Sequence, residues 1–78
     1  MEIKILGTGC AKCKTLEKLT REVVEKNGIN AIVKKVEDIN EIMKYRILAT
    51  PALVVDEKVV IKGYVPSASE IKEVLLKQ

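Results

Sequence analysis

Two side chains in this sequence carry a soft nucleophile, Cys10 and Cys13, and they form the run Cys10-Ala11-Lys12-Cys13. A thiolate attacks disulfides and binds soft metal ions, so the pair allows two kinds of chemistry. One is a reversible dithiol/disulfide couple that moves two electrons. The other is a two-thiolate seat for Cu(I) or zinc. With no histidine in the chain, a Cys–His hydrolytic nucleophile is excluded. A complete structural zinc site is excluded too, because it needs four ligands. In a reducing compartment such a pair is more often catalytic or metal-binding than a structural staple.

The elements around the pair decide what it can do. Glu2–Leu6 alternates Ile3 and Ile5 with Lys4 and predicts a strand, which Gly7-Thr8-Gly9 breaks. From Cys10 onward, Cys13, Leu16, Leu19 and Val23 recur at a helical period, and Lys26-Asn27-Gly28 closes the helix. Cys10 thus stands at a helix N-terminus, where unpaired N–H groups and a partial positive charge stabilise a thiolate. Lys12 and Lys14 add positive charge nearby. Such settings bring thiol pKa values from about 8.5 down to roughly 3.5–7.5. Cys13 lies one turn inward, on the side of Leu16, within disulfide reach of Cys10. Cys10 is therefore the expected nucleophile and Cys13 the thiol that resolves a mixed disulfide.

Further along, Ala31–Val36 predicts a second strand, and Asp38-Ile39-Asn40-Glu41 a capping box opening a short helix with Ile39, Ile42 and Met43 as its apolar side. Ala52–Val55 is wholly apolar, a strand buried on both faces. Asp56-Glu57 turns the chain into Val59–Ile61. Pro66-Ser67 opens the last helix, with a second capping box from Ser67 to Glu70 and an apolar side of Ile71, Val74 and Leu75. The order β-α-β-α-β-β-α predicts one α/β domain over 1–78 with a mixed four-stranded sheet. Its first crossover is right-handed and its last two strands form a hairpin. The first and last helices are expected on one face, the short helix on the other.

Gly9-Cys10-Ala11-Lys12-Cys13 after an N-terminal strand, with Ala49-Thr50-Pro51-Ala52-Leu53-Val54-Val55 before a hairpin, resembles the thioredoxin–glutaredoxin superfamily. Within it, the resemblance is to the very small archaeal and bacterial proteins named redox-active disulfide protein 2, and it spans nearly the whole chain. It implies a minimal thioredoxin fold and a disulfide oxidoreductase with no prosthetic group beyond the Cys10–Cys13 disulfide. It also implies a cis bond before Pro51. Read alone, that proline is an ordinary trans residue opening a strand, since only about 5–6% of X-Pro bonds are cis. Thr50 would then offer its backbone to a substrate strand. Gly63 falls where relatives need bare backbone beside the site, and Tyr64 is read as a surface residue or a substrate contact. The partners implied are a disulfide reductase, flavin- or ferredoxin-linked, and proteins with disulfides, met by a monomer.

Three positions depart from the family pattern. Gly9 stands where thioredoxins carry a tryptophan, Lys4 where they place a buried acid, and Ala11-Lys12 between the cysteines. Lys4 is read as a solvated strand lysine, with a role in shuttling the Cys13 proton as the alternative, and the departures leave the proton relay, the reduction potential and any use of glutathione open.

Composition removes other classes. The 78 residues, 47% hydrophobic and 32% charged, predict a folded globule with a small core. No apolar run exceeds Ala52–Val55, so no membrane span is expected. Met1–Gly9 lacks the hydrophobic region of a signal peptide, and the protein is expected in the cytosol. A net charge of +3 spread along the chain, with Tyr45 and Tyr64 the only aromatics, lacks the clustered basic stripe of nucleic-acid binders. The Lys14-Thr15 pair lacks the glycines of a P-loop, and Gly7-Thr8-Gly9 lacks the third glycine of a dinucleotide fingerprint. Copper carriers also place a CxxC at a strand-to-helix junction, but in the order β-α-β-β-α-β and with a methionine where Thr8 stands. Zinc or an iron–sulfur cluster would have to be bridged between two chains or completed by exogenous thiols. Twelve Lys and nine Glu beside a single Gln suit a thermophile or an AT-rich genome.

Overall fold

Alternation along the first strand separates the molecule into two layers. The computed structural model describes residues 1–77. The elements are β1 (Glu2–Leu6), α1 (Ala11–Lys26), β2 (Ile32–Val36), α2 (Ile39–Met43), β3 (Ala52–Val55), β4 (Lys58–Lys62) and α3 (Ala68–Leu76). The sheet order is β2-β1-β3-β4. β1 runs parallel to β2 and antiparallel to β3, and β3 and β4 form the hairpin. This is the mixed sheet and minimal thioredoxin fold expected, with β2 starting at Ile32 instead of Ala31.

Ile3 and Ile5 of β1 join Leu16, Val23, Leu53, Val55, Ile61, Ile71 and Leu75 in the core beneath α1 and α3. Leu6 turns to the other face, with Ile42, Ile47, Ala52 and Val54 under α2. β3 lies between β1 and β4 with cover on both sides, so all four of its residues are buried. Each of its Leu and Val side chains stabilises the fold by about 1.5–3 kcal/mol relative to exposure.

The short helix α2 departs from expectation. Of its expected apolar side only Ile42 is buried, while Ile39 and Met43 are 55% and 61% exposed. A helix of five residues is about 7.5 Å long and meets the sheet through a single side chain. Both capping boxes are half formed. Asp38 accepts a bond from the Asn40 N–H at 2.8 Å, and the Glu41 carboxylate turns outward to Lys44 at 3.0 Å. Ser67 accepts from the Glu70 N–H at 3.2 Å, and the Glu70 carboxylate accepts from the Tyr64 hydroxyl.

The β3–β4 turn carries Asp56 and Glu57 at φ of 47° and 70°, a left-handed pair that usually selects Asn-Gly. Hydrogen bonds compensate. The Asp56 carboxylate accepts from the Glu2 N–H at 2.8 Å, and the Asp56 N–H donates to the Glu2 carbonyl at 2.8 Å. Glu57 accepts from Lys4 at 2.6 Å and from the Tyr45 hydroxyl at 3.1 Å.

Candidate active site

The two cysteines occupy different environments three residues apart. Cys10 is the N-cap of α1, with extended backbone at φ −70° and ψ 167°. Its sulfur accepts a hydrogen bond from the Cys13 N–H at 3.4 Å, as a capping serine oxygen would. Cys10 is exposed and Cys13 is buried at 6% exposure, yet their sulfurs lie 2.7 Å apart. Hydrogen bonding from the Cys13 thiol, then from the backbone N–H groups of Cys13 and Lys12, pulls the Cys10 thiol below its ordinary range. Burial foremost, then the contact with Cys10, pushes the Cys13 thiol up. The leading causes of the Cys10 shift are hydrogen bonds, and the Lys12 and Lys14 ammonium groups are not among them. Both lysines are exposed.

Backbone without side chains makes room for these sulfurs. A Cβ on Gly7 would lie 2.2 Å from the Cys13 Sγ, inside any permitted contact, so only glycine fits beneath that thiol. Gly9 has φ of +88°, and a Cβ there would come within 3.1 Å of the Glu37 carboxylate. The loop before Cys10 is thus drawn tight on one side by the Cys13 sulfur and on the other by the segment after β2.

The other expected residues arrive from the hairpin. Leu6 pairs with Ala52, and Ala52 with Lys62. The next residues along, Gly7, Pro51 and Gly63, therefore collect at one end of the sheet with the cysteine pair. The Thr50–Pro51 bond is cis. Pro51 is buried and Thr50 exposed. Gly63, at φ +84°, donates its N–H to the Pro51 carbonyl at 2.9 Å, and a Cβ on it would press to 3.2 Å from the Ala49 Cβ. Tyr64 bonds to Glu70 and does not join the group.

The alternative role for Lys4 fails: it is a part-exposed strand lysine outside the site, tied to its neighbours. It projects to the α2 face, where its ammonium bonds Tyr45 at 2.8 Å and Glu57 at 2.6 Å. Those bonds hold it charged well above the ordinary lysine range, so it cannot take a proton from Cys13. The β1 residue that shares a cleft with Cys13 is Ile5. That cleft, of about 10 Å³, is lined by Ile5, Gly7, Gly9, Cys13, Lys14 and Lys35, room for about one water. Sequence reading missed Gly7, Lys35 and Glu37. The β1–β2 register, which puts Lys35 beside Ile5, is the signal that finds Lys35, and it appears only once the strands are paired.

Among the described residues, no cluster of three or more Cys, His, Asp or Glu side chains could hold a metal ion. Cys10 and Cys13 supply two thiolates, and a partner would have to complete any metal site there. No helix among the described residues is long and apolar enough to cross a membrane.

Residues 1–76 match a family model described as a thioredoxin domain. A thioredoxin from Methanothermobacter thermautotrophicus is 44% identical over 75 residues, covering 96% of this chain and 97% of that protein. One from Methanocaldococcus jannaschii is 42% identical over 73 residues, covering 94% and 84%. A probable thioredoxin from Archaeoglobus fulgidus is 34% identical over 71 residues, covering 87% and 77%. All three organisms are archaeal thermophiles, in line with the Lys- and Glu-rich composition.

Proposed function

The chain belongs to the thioredoxin domain family and is a thioredoxin-like disulfide oxidoreductase, and from that premise we propose that Cys10 and Cys13 carry two electrons from a disulfide reductase to disulfide-bearing proteins. The observation that carries the assignment is the opposite treatment of two touching thiols, one exposed at a helix N-cap and one buried.

The exposed Cys10 thiolate attacks a substrate disulfide, and one substrate sulfur leaves with the bonding electrons. Cys13 then loses its proton, its thiolate attacks the Cys10 sulfur, and the second substrate sulfur leaves. The cysteine pair ends as a disulfide, oxidised by two electrons, and the substrate as a dithiol. A reductase reverses the change in the protein, and no other cofactor is required. The substrate chain lies beside Thr50 and Pro51 as a short added strand, with Gly63 leaving space for its backbone. Lys12 and Lys14, exposed beside the site, favour acidic partner surfaces, and the association rate should fall as salt rises. The reductase is flavin- or ferredoxin-linked, and the chain works as a monomer in the cytosol.

The test separates the two thiols. Cys10→Ser should abolish disulfide reduction. Cys13→Ser should stall as mixed disulfides with the substrate, and normal turnover of that variant would remove the two-cysteine mechanism. Equilibration in dithiol/disulfide buffers should show one two-electron transition at roughly −180 to −280 mV. Thiols that resist oxidation but take up Cu(I) or zinc tightly would point instead to a metal carrier.

A further inference from the structure

We propose that the groove between the α2–β3 connection and the edge of β4 takes an acidic side chain of the substrate protein, paired with Arg46 and Lys62. The inference rests on the disulfide-reduction reading above and narrows its substrates to chains with Asp or Glu flanking the reducible cysteine.

The groove has a volume of about 180 Å³, with Tyr45, Arg46 and Ile47 lining it from the connection and Val59 and Lys62 from β4. Two local irregularities bring the cations together. Leu53 pairs with Ile61 and Val54 with Val59, so a bulge leaves Val60 as an extra residue in β4. Val59 packs on the α2-side core, whereas Val60 and Ile61 both pack on the α1-side core. Strict alternation would send Ile61 to the α2 side and Lys62 to the α1 side. The extra residue reverses that, and Lys62 shares a face with its partner Ala52, a member of the α2-side core. Arg46 sits at φ 57°, a conformation that favours glycine or asparagine. The chain thus holds a long cation where the backbone alone would select a small residue.

Neither Arg46 nor Lys62 has an ion pair among the described residues. The neighbouring charges are already matched. Lys44 pairs with Glu41 at 3.0 Å, and Glu57 accepts from Lys4 and from the Tyr45 hydroxyl. Among the described residues no carboxylate lines the groove, so its two positive charges are left for another molecule.

The groove also adjoins the proposed substrate platform. Gly63 follows Lys62, donates its N–H to the Pro51 carbonyl at 2.9 Å and lies against Ala49. Two cations beside a platform for polypeptide backbone suit a carboxylate carried on that same polypeptide, which a guanidinium can grip with two hydrogen bonds.

Two peptide disulfides test the proposal, each joining a fluorophore arm to a quencher arm, with Glu or Gln flanking both cysteines. The single-turnover rate with reduced protein is measured for each, and the Glu/Gln ratio is divided by the ratio given by dithiothreitol. That division removes what the charge does to the departing thiol. The corrected ratio should be about fivefold for the wild type, the size that two exposed ion pairs carry between them. Arg46→Asn or Lys62→Gln alone should bring it to about twofold, and the double variant should show no preference. Arg46→Lys should keep the wild-type ratio. Lys12→Gln with Lys14→Gln should retain most of it at about 0.15 M salt, where exposed charges beyond roughly 8 Å are screened. Because the readout is a ratio, a variant with less folded protein lowers both rates and leaves it intact. No preference in the wild type, an undiminished ratio in the groove double variant, or a ratio lost only with Lys12 and Lys14 overturns the proposal and leaves disulfide reduction standing. Failure of the wild type to cleave the Gln peptide would overturn the disulfide-reduction reading, and this proposal with it.

Discussion

The two ends of the sheet solve one backbone problem in opposite ways. At the end away from the cysteines, the β3–β4 turn fills its two left-handed positions with Asp56 and Glu57. Their side chains are spent on Glu2, Lys4 and Tyr45. At the cysteine end, Gly9 and Gly63 take positive φ values, and Lys12, Lys14 and Glu37 have no ion pair among the described residues. One end is closed by its own side chains. The other keeps bare backbone and free charge facing outward, which is what a site for another chain's backbone needs.

The sharpest way to break the open end is Gly7→Ala. The added methyl would collide with the Cys13 sulfur, and overpacking of this kind costs about 1–3 kcal/mol. Denaturant titration should show that loss, and activity should fall further than stability because the sulfur itself is displaced. If Gly7→Ala kept both, the contact between loop and thiol would not matter.

Gly63→Ala should come next. A left-handed alanine costs about 1–2 kcal/mol, and its methyl would press on Ala49. Insulin-type turnover assays should show a raised KM for protein disulfides, with Cys10 alkylation unchanged.

Alkylation against pH tests the asymmetry of the thiols. Cys10 should react below the ordinary thiol range near 8.5, and Cys13 above it. Peptide mass mapping distinguishes the two.

The smallest effect belongs to the closed end. The Lys4 hydrogen bond lowers the Glu57 pKa. Its stabilisation is therefore present above the unfolded carboxylate value and lost as pH falls through the folded one. Glu57→Gln should flatten the acid limb of the stability curve, read by thermal melting, and leave turnover alone. A change in turnover would mean that the two ends are coupled.

Much of the site was readable from the chain because its signals are local. The CxxC sits directly after a strand and a glycine break, and Thr50-Pro51 directly precedes a wholly apolar strand. What could not be read depends on contacts between distant segments. Counting back from Cys10 puts Lys4 at the family's acid position, but the Gly7-Thr8-Gly9 loop does not preserve strand alternation, and Ile5 faces the thiol instead. Ile39 and Met43 follow a helical stripe that a five-residue helix is too short to bury. Lys35 reads as one of two adjacent strand lysines until β1 and β2 are paired and show which one faces α1.

The sheet order has one more consequence. β1 is central, and its two neighbours come from opposite halves of the chain. The β1-α1-β2 unit carries both cysteines and closes over a separation of about thirty residues. Thr50, Pro51 and Gly63 belong to the later hairpin, which must dock on the free side of β1 across a sequence separation of some fifty residues. The catalytic centre is therefore a seam. Under the proposed function, a nascent chain owns its thiols long before the surface proposed to direct them, and selective disulfide exchange would await closure of the second half on the first.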